Sequence, residues 1–304
     1  MPSITIDSLP TGFTLTGAIP IKNQDLAASI IFIVAYICLV PLLALRVGRK
    51  ISRTTLLIRP AIFILIRIGT FIVRAVQAGG DESERLFIAQ QILLLCGFFL
   101  LVEPLTALVK YNLYRDWIPQ GKKDHLSVVF KLMRWAVLGA LSLGIAVGAR
   151  TNDSFTDPDL ARTLKRCRYA SAILGLVVIG ISLFLVLFAQ ITGVSEWRRT
   201  SHLTALSICL LIPSVYRLVA YAEPAHLFSS AGKAIFYLFF CLPEVLATLL
   251  YVTINLETTF ELKEGAAKDK WNTQAQKGKV AGSYGSENEL ERDGNHEMSE
   301  KGSV

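Results

Sequence analysis

The stretch Leu57–Ala78, LIRPAIFILIRIGTFIVRAVQA, is apolar and long enough to cross the roughly 30 Å hydrocarbon core of a bilayer. It nevertheless carries Arg59, Arg67 and Arg74. An arginine near the middle of a spanning helix costs about 3 kcal/mol unless it faces protein or water. The step from Arg67 to Arg74 is two helical turns, which places both side chains on nearly one face. The rest of the chain must therefore supply partners for that face.

Apolar segments of about twenty residues recur along the chain, which is the signature of membrane spans. Hydrophobic residues make up 52% of the chain, and the mean hydropathy is +0.48. The sequence therefore predicts an all-α polytopic membrane protein, a bundle of seven transmembrane helices. The predicted spans are Leu26–Leu45, Leu57–Ala78, Leu86–Val109, Leu126–Ala149, Ala170–Thr192, Leu203–Ala222 and Ala234–Asn255.

Three regions follow from this pattern. Residues 1–25 are predicted to form a short extracytoplasmic tail, and residues 26–256 the transmembrane domain. Residues 257–304 are lysine-rich and then acidic, with Gly and Ser throughout. Such a composition cannot bury a core, so we predict a disordered cytoplasmic tail.

The net charge of +7 is concentrated in connectors between spans. Basic connectors follow the first, third and fifth predicted spans, whereas the acidic connector GGDESE follows the second. The positive-inside rule then places the N-terminus outside and the C-terminus in the cytoplasm, in the plasma membrane or a membrane of the secretory pathway. The loop with Arg162, Lys165, Arg166 and Arg168 disagrees, because it falls outside. Asn152 in that loop begins a glycosylation sequon. No basic face of a soluble domain is visible, which argues against nucleic-acid binding.

Matching depths between spans pairs the intramembrane charges. Arg67 and Glu244 both lie near the midplane, whereas Glu103 lies at the depth of Lys131 and Arg134. We therefore predict an Arg67–Glu244 pair, and a second group in which Glu103 pairs with Lys131 or Arg134. The full candidate polar cluster is Arg67, Arg74, Glu103, Lys131, Arg134, Arg217 and Glu244.

Other polar and kinked positions extend this cluster. Gln90 and Gln91 lie at the depth of Arg74 and are predicted to help solvate it. Prolines next to Glu103 and Glu244, and one turn before Arg217, each free a backbone carbonyl. Two interpretations stay open: the charges line a polar cavity for a ligand or ion, or they only hold the helices together.

Small residues recur every four positions along the fourth span, at Ala136, Ala140, Gly144 and Gly148. This smooth ridge permits close approach of another membrane helix. It predicts either packing inside the bundle or an oligomer formed through this face.

Signals for catalysis are lacking in the sequence. All four histidines fall in predicted connectors or the tail, and there is no HExxH, Walker loop, GxGxxG or GxSxG motif. No CxxC pair occurs among the five cysteines. We therefore expect no enzyme activity, no cofactor and no metal site.

Five stretches carry a family resemblance: LIRIGTFIVRAVQA, LLCGFFLLVEPLTAL, WAVLGALSLGIAVGA, LLIPSVYRLVAYAEP and FCLPEVLATLLYVTINLE. Together they resemble a fungal seven-span membrane family classified as a domain of unknown function, number seven-seven-zero-two. The resemblance covers about residues 26–257 and implies a fungal origin with no assigned activity.

SVYRLV on the sixth span and the Gln90 region of the third are also similar to the fungal Rta-like lipid-translocating exporters. That resemblance implies lipid export and carries the family's arginine over to Arg217. The chain departs from the family at Ala220, near which an acidic residue is expected, and it lacks the family's fourth-span motif.

Two classes of function compete. The first is transport or handling of a lipid or small solute, in which membrane lipids and a small-molecule or lipid ligand are the partners. The second is a heptahelical sensor or a scaffold without ligand. The chain lacks the acidic-Arg-Tyr triplet and the Asn-Pro-x-x-Tyr sequence of heptahelical receptors. Flux through liposomes separates the two classes.

Overall fold

The computed structural model describes residues 14, 16–17, 20, 25–48, 55–80, 83–116, 123–151, 153–155, 157–193, 195–222 and 229–260. Seven helices in this part of the chain are long and apolar enough to cross a membrane. No strand occurs within those ranges. The predicted all-α, seven-span architecture is therefore confirmed, and the chain is an integral membrane protein.

The helices run close to the predicted spans. They are α1 (Leu26–Gly48), α2 (Ile58–Ala78), α3 (Glu84–Asp116), α4 (Lys123–Ala149), α5 (Pro158–Ile191), α6 (Trp197–Ala222), α7 (Ser230–Thr253) and the short α8 (Leu256–Phe260). Consecutive spans pack side by side, and α7 closes the bundle by packing on both α1 and α6. Helix α3 also contacts α5, α6 and α7, which makes it the central helix.

The outer surface of the bundle is apolar and its interior holds charges. Leu65, Trp135 and Ile191 are 67%, 71% and 84% exposed, as expected of side chains that face acyl chains. Arg67 and Arg217, in contrast, are among the largest side chains that the bundle encloses almost completely. This reversal of the soluble pattern follows from the cost of placing a charge against lipid.

The N-terminus of α5 is capped by an aspartate side chain and begins with a proline. The Asp157 side chain accepts hydrogen bonds from the backbone N–H groups of Asp159 and Leu160, 2.9 and 3.2 Å away. Pro158 occupies the first helical position, where its missing N–H costs nothing. The helix then continues without interruption to Ile191.

Helix α7 widens into a π-helical turn over Tyr237–Cys241, directly before Pro243. Pro243 has no N–H, and its ring crowds the carbonyl one turn earlier. A wider turn relieves that crowding and also rotates the residues that follow. Lys233, Phe236, Phe240 and Glu244 are consequently all buried in the bundle.

At one end of the bundle, an arginine side chain of α1 binds the backbone of α7. Arg46, near the end of α1, donates hydrogen bonds to the carbonyls of Val252 and Thr253, where α7 ends. Helix α8 follows at once, and its Leu256 and Phe260 are buried. The predicted tail therefore begins too early, because its first residues fold into α8. Its remaining residues, 261–304, lie outside the described part of the chain.

The small-residue ridge of α4 packs inside the bundle. Ala140, Gly144 and Gly148 are buried, and the nearest side chains to the two glycines are Leu95 and Ile92 of α3. Ala136 is half-buried. The ridge lets α4 approach the central helix closely, the first of the two interpretations given above.

Replacing Gly148 with alanine is expected to destabilise the bundle by about 1–3 kcal/mol, because a well-packed contact has no room for an extra methyl. The added Cβ would lie 2.5 Å from Cγ1 and 3.2 Å from Cα of Ile92. Gly139→Ala is the matched control, since nothing lies within 4 Å of its Cβ position. Thermal unfolding of both variants in detergent checks the prediction, and equal unfolding temperatures would contradict it.

Candidate intramembrane polar site

Arg67 of α2 and Glu244 of α7 form an enclosed ion pair at the centre of the bundle. Nη2 of Arg67 lies 2.6 Å from Oε1 of Glu244, and the two side chains are 0% and 1% exposed. Nη1 of Arg67 also donates to the carbonyl of Leu93, 3.2 Å away on α3. This is the pair that matching depths in the sequence predicts.

The surroundings of Arg67 are shaped to fit its guanidinium group. The rings of Phe63 and Phe240 lie 4.9 and 5.5 Å from Cζ, in the range of cation–π interactions. A Cβ on Gly97 would lie 3.2 Å from both Cζ and Nη1 of Arg67. Glycine at this position of α3 is therefore what lets the arginine reach across to α7.

Arg74, two turns along α2, pairs with Asp25 at the start of α1. Its Nη2 donates to Oδ1 of Asp25 at 2.6 Å, and its Nε donates to the Tyr237 hydroxyl at 2.9 Å. Tyr237 in turn donates to Oδ1 of Asp25 at 2.8 Å, and Nζ of Lys233 lies 2.6 Å from Oδ2. One carboxylate, 0% exposed, thus serves two cations.

Matching depths between spans does not identify this second pair, and it predicts the wrong partners for Arg74. Gln91 instead exchanges hydrogen bonds with the backbone of Thr16, and neither amide atom of Gln90 has a partner among the described residues. Asp25 falls in the predicted N-terminal tail, and Lys233 falls one residue before the predicted seventh span. Both residues terminate apolar segments, which is the only sequence signal that could have identified them.

Part of the N-terminal segment enters the bundle at the end where Asp25 lies. The Thr14 hydroxyl accepts from Nη1 of Arg168 at 3.2 Å, and the Thr16 hydroxyl lies 2.8 Å from the Tyr221 hydroxyl. Gly17 has φ +82°, and a Cβ there would lie 2.9 Å from the Phe236 ring. These N-terminal residues are buried, whereas the sequence predicted a tail outside the helices.

Of the two partners predicted for Glu103, Arg134 is confirmed as a distant one, and a closer partner was not predicted. The Glu103 carboxylate pairs with Arg59 in the first turn of α2. Nε of Arg134 is 3.9 Å away and its side chain is 68% exposed, while Lys131 is exposed. Both α2 and α4 pack against α3, and the closer arginine contact to Glu103 comes from Arg59 of α2. Glu103 therefore belongs to the periphery of the bundle.

Arg217 on α6 is the unusual member of the predicted cluster. Its side chain is 1% exposed, and none of its three nitrogens has a hydrogen-bond partner in the described ranges. Its Cζ lies 5.2 Å from the ring centroids of both Phe98 and Phe99 of α3. Glu244 is within electrostatic range, but it forms its direct contact with Arg67.

Among the described residues, a second buried arginine lacks a carboxylate contact. Arg168 on α5 is 2% exposed, and within that part of the chain its Nη groups bond only to the hydroxyls of Thr14 and Thr151, at 3.2 and 2.8 Å. It lies within electrostatic range of Arg217. Two guanidinium groups on neighbouring helices thus bring unbalanced positive charge into the interior.

Cations outnumber carboxylates in the interior between the Asp25 end and Glu244. The buried cations described there are five, and the buried carboxylates are two. Since each uncompensated buried charge costs several kcal/mol, a surplus of three positive charges calls for an anionic counterpart. The residues are Arg67, Arg74, Arg168, Arg217 and Lys233 against Asp25 and Glu244.

The predicted glycosylation position, Asn152, lies outside the described residues. Comparisons of the chain with protein-family models, with curated proteins and with solved structures found no match. The two family resemblances therefore stay predictions, and function has to be argued from the charges of the bundle.

Proposed function

We propose that the protein transports or otherwise handles an anionic lipid or small solute within its polar interior. The surplus of buried cations over carboxylates supports this proposal. Charged groups inside spans are expensive and typically mark ligand or ion pathways. Arg168 bonds to two hydroxyls and Arg217 has no hydrogen-bond partner among the described residues, so neither belongs to an ion pair with a carboxylate there.

The alternatives draw less support from the same contacts. A scaffold was suggested partly by the small-residue ridge of α4, and that ridge is occupied by α3. For a sensor role, the feature that this chain shares with heptahelical receptors is the number of spans. The cation surplus favours the handling of an anion.

The same proposal includes an orientation. With the N-terminus outside and the C-terminus cytoplasmic, Arg46, Lys110 and Arg115 lie at the cytoplasmic face, in agreement with the positive-inside rule. The Asp25 end then opens to the exterior or to the lumen of a secretory compartment. The membrane concerned is the plasma membrane or one of the secretory pathway.

Reconstitution into proteoliposomes tests the function. We expect the purified protein to move radiolabelled phosphate, or a fluorescent anionic phospholipid, at least about tenfold faster than protein-free liposomes, because the interior attracts negative charge. Radiolabelled sodium should not move faster than in the protein-free liposomes. Heat-denatured protein is the control for leakage. A folded protein that accelerates neither anion would contradict the proposal.

A further inference from the structure

The geometry points to Arg217 as the binding site for a phosphate group, either free or carried on a lipid headgroup. This inference rests on the proposed handling of an anion and specifies where and how the anion binds. It separates the buried arginines into two kinds. Arg67 and Arg74 are held by carboxylates, whereas the contacts of Arg217 with described residues are aromatic.

The hydrogen-bonding capacity of Arg217 is unused by the described residues. A guanidinium group has five N–H donors in a planar fork that matches two oxygens of a phosphate. Nε, Nη1 and Nη2 of Arg217 all lack partners, and the side chain is 1% exposed. The Ser214 hydroxyl, three residues earlier on the same face of α6, is also buried without a partner.

A charged ligand would stabilise Arg217 beyond what its aromatic contacts provide. Two phenyl rings at 5.2 Å supply on the order of 2 kcal/mol of cation–π attraction each when desolvated. Phosphate would add charge-assisted hydrogen bonds to the same group. The aromatic contacts use none of the guanidinium N–H donors, since all three nitrogens are without a hydrogen-bond partner among the described residues.

The electrostatics favour phosphate over a single carboxylate. Arg168 lies within electrostatic range of Arg217 and has only hydroxyl partners among the described residues. Two guanidinium groups match the charge of about −1.5 to −2 that a phosphate monoester carries at neutral pH. Acetate carries one negative charge, so it would balance only one of the two guanidinium groups.

Thr14 and Thr16 of the N-terminal segment contact residues close to Arg217. Tyr221 lies one turn beyond Arg217 on α6, and its hydroxyl contacts that of Thr16. The Gln91 side chain of α3 accepts a hydrogen bond from the Thr16 backbone N–H, and the Thr14 hydroxyl accepts one from Nη1 of Arg168. Breaking the contact between Thr14 and Arg168 would free Nη1 of Arg168 for the ligand.

The test is thermal unfolding of the full chain in phosphatidylcholine nanodiscs, with inorganic phosphate as the probe. We expect phosphate to raise the unfolding temperature of the wild type more than acetate or chloride at equal ionic strength. Arg217→Met should abolish this rise, and without phosphate it should unfold no lower than the wild type. Arg162→Met, at an exposed arginine of α5, should respond as the wild type does.

A second variant keeps the proposal testable if Arg217→Met fails to fold. Arg217→Lys keeps the charge but loses the planar fork, and we expect about tenfold weaker phosphate binding. Nanodiscs that contain phosphatidic acid, without free phosphate, distinguish the two sources of the group. Protection by either source that depends on Arg217 supports the site, and protection unchanged in both variants overturns it.

The outcomes also separate this inference from the proposed function. Flux that persists in Arg217→Lys and Arg217→Met would leave anion transport standing and overturn the site. Phosphate binding that depends on Arg217, in a protein that moves no anion, would support the site and contradict transport.

Discussion

Replacing Arg67 with methionine is expected to destabilise the folded bundle by about 3–5 kcal/mol, because it leaves Glu244 buried without its counter-charge. The pair is 0% and 1% exposed, so neither water nor lipid headgroups can solvate the remaining carboxylate. Methionine has a similar volume, which limits the contribution of lost packing. Reversible unfolding in mixed micelles measures the change.

Arg162→Met is the control for Arg67→Met. Arg162 pairs with Asp159 on the surface of α5, where the two side chains are 62% and 91% exposed. Removing that pair should change the free energy of unfolding by no more than about 0.5 kcal/mol. If the two variants were equally stable, the Arg67–Glu244 pair would not be a requirement of the fold.

Asp25→Asn is expected to cost about 3–5 kcal/mol as well, since one substitution removes the charge that balances both Arg74 and Lys233. Asparagine keeps the size of the side chain, so the effect reports charge. The loss should be visible as a lower yield of monodisperse protein and a lower unfolding temperature. It would also show that residues before the first span belong to the folded bundle.

The matched control for Asp25→Asn is Asp159→Asn, the same change at a carboxylate that is 91% exposed. We expect its free energy of unfolding to lie within about 0.5 kcal/mol of the wild-type value. A wild-type unfolding temperature in Asp25→Asn would mean that the network of Asp25, Arg74, Lys233 and Tyr237 does not stabilise the bundle.

The sequence predicts the spans of this protein well, because long apolar segments leave few alternatives to helices in a membrane. Depth along a helix is equally readable, at 1.5 Å per residue, and it identifies Arg67 and Glu244 as partners. It gives no information on which helices are neighbours. Both α2 and α4 lie beside α3, and Glu103 makes its closer contact with Arg59 of α2 and a longer one, at 3.9 Å, with Arg134 of α4.

Contacts from outside the spans could not be read from hydropathy. Asp25, Thr14 and Thr16 belong to a polar segment whose composition resembles an exposed tail. Their burial depends on hydrogen bonds to Arg74, Arg168 and Gln91, which are visible only in the folded bundle. The π-helical turn of α7 is likewise a response to Pro243 within the packed helix.

The buried arginines of this bundle thus differ in what balances them. Arg67 and Arg74 hold α2 against α7 and the start of α1 through carboxylates, and they explain why those helices meet. Arg168 and Arg217 carry charge that hydroxyl groups and aromatic rings only partly balance. The first kind serves the fold, and the second kind supports the proposed handling of an anion.

Exchanging the charges of Arg67 and Glu244 tests most directly whether charged side chains that face the interior pair across the bundle. Arg67→Glu and Glu244→Arg should each reduce the yield of folded protein severely, since each places two like charges at 2.6 Å contact distance. The double variant should recover much of that yield, because opposite charges face each other again. A double variant that folds no better than either single variant would contradict the pairing.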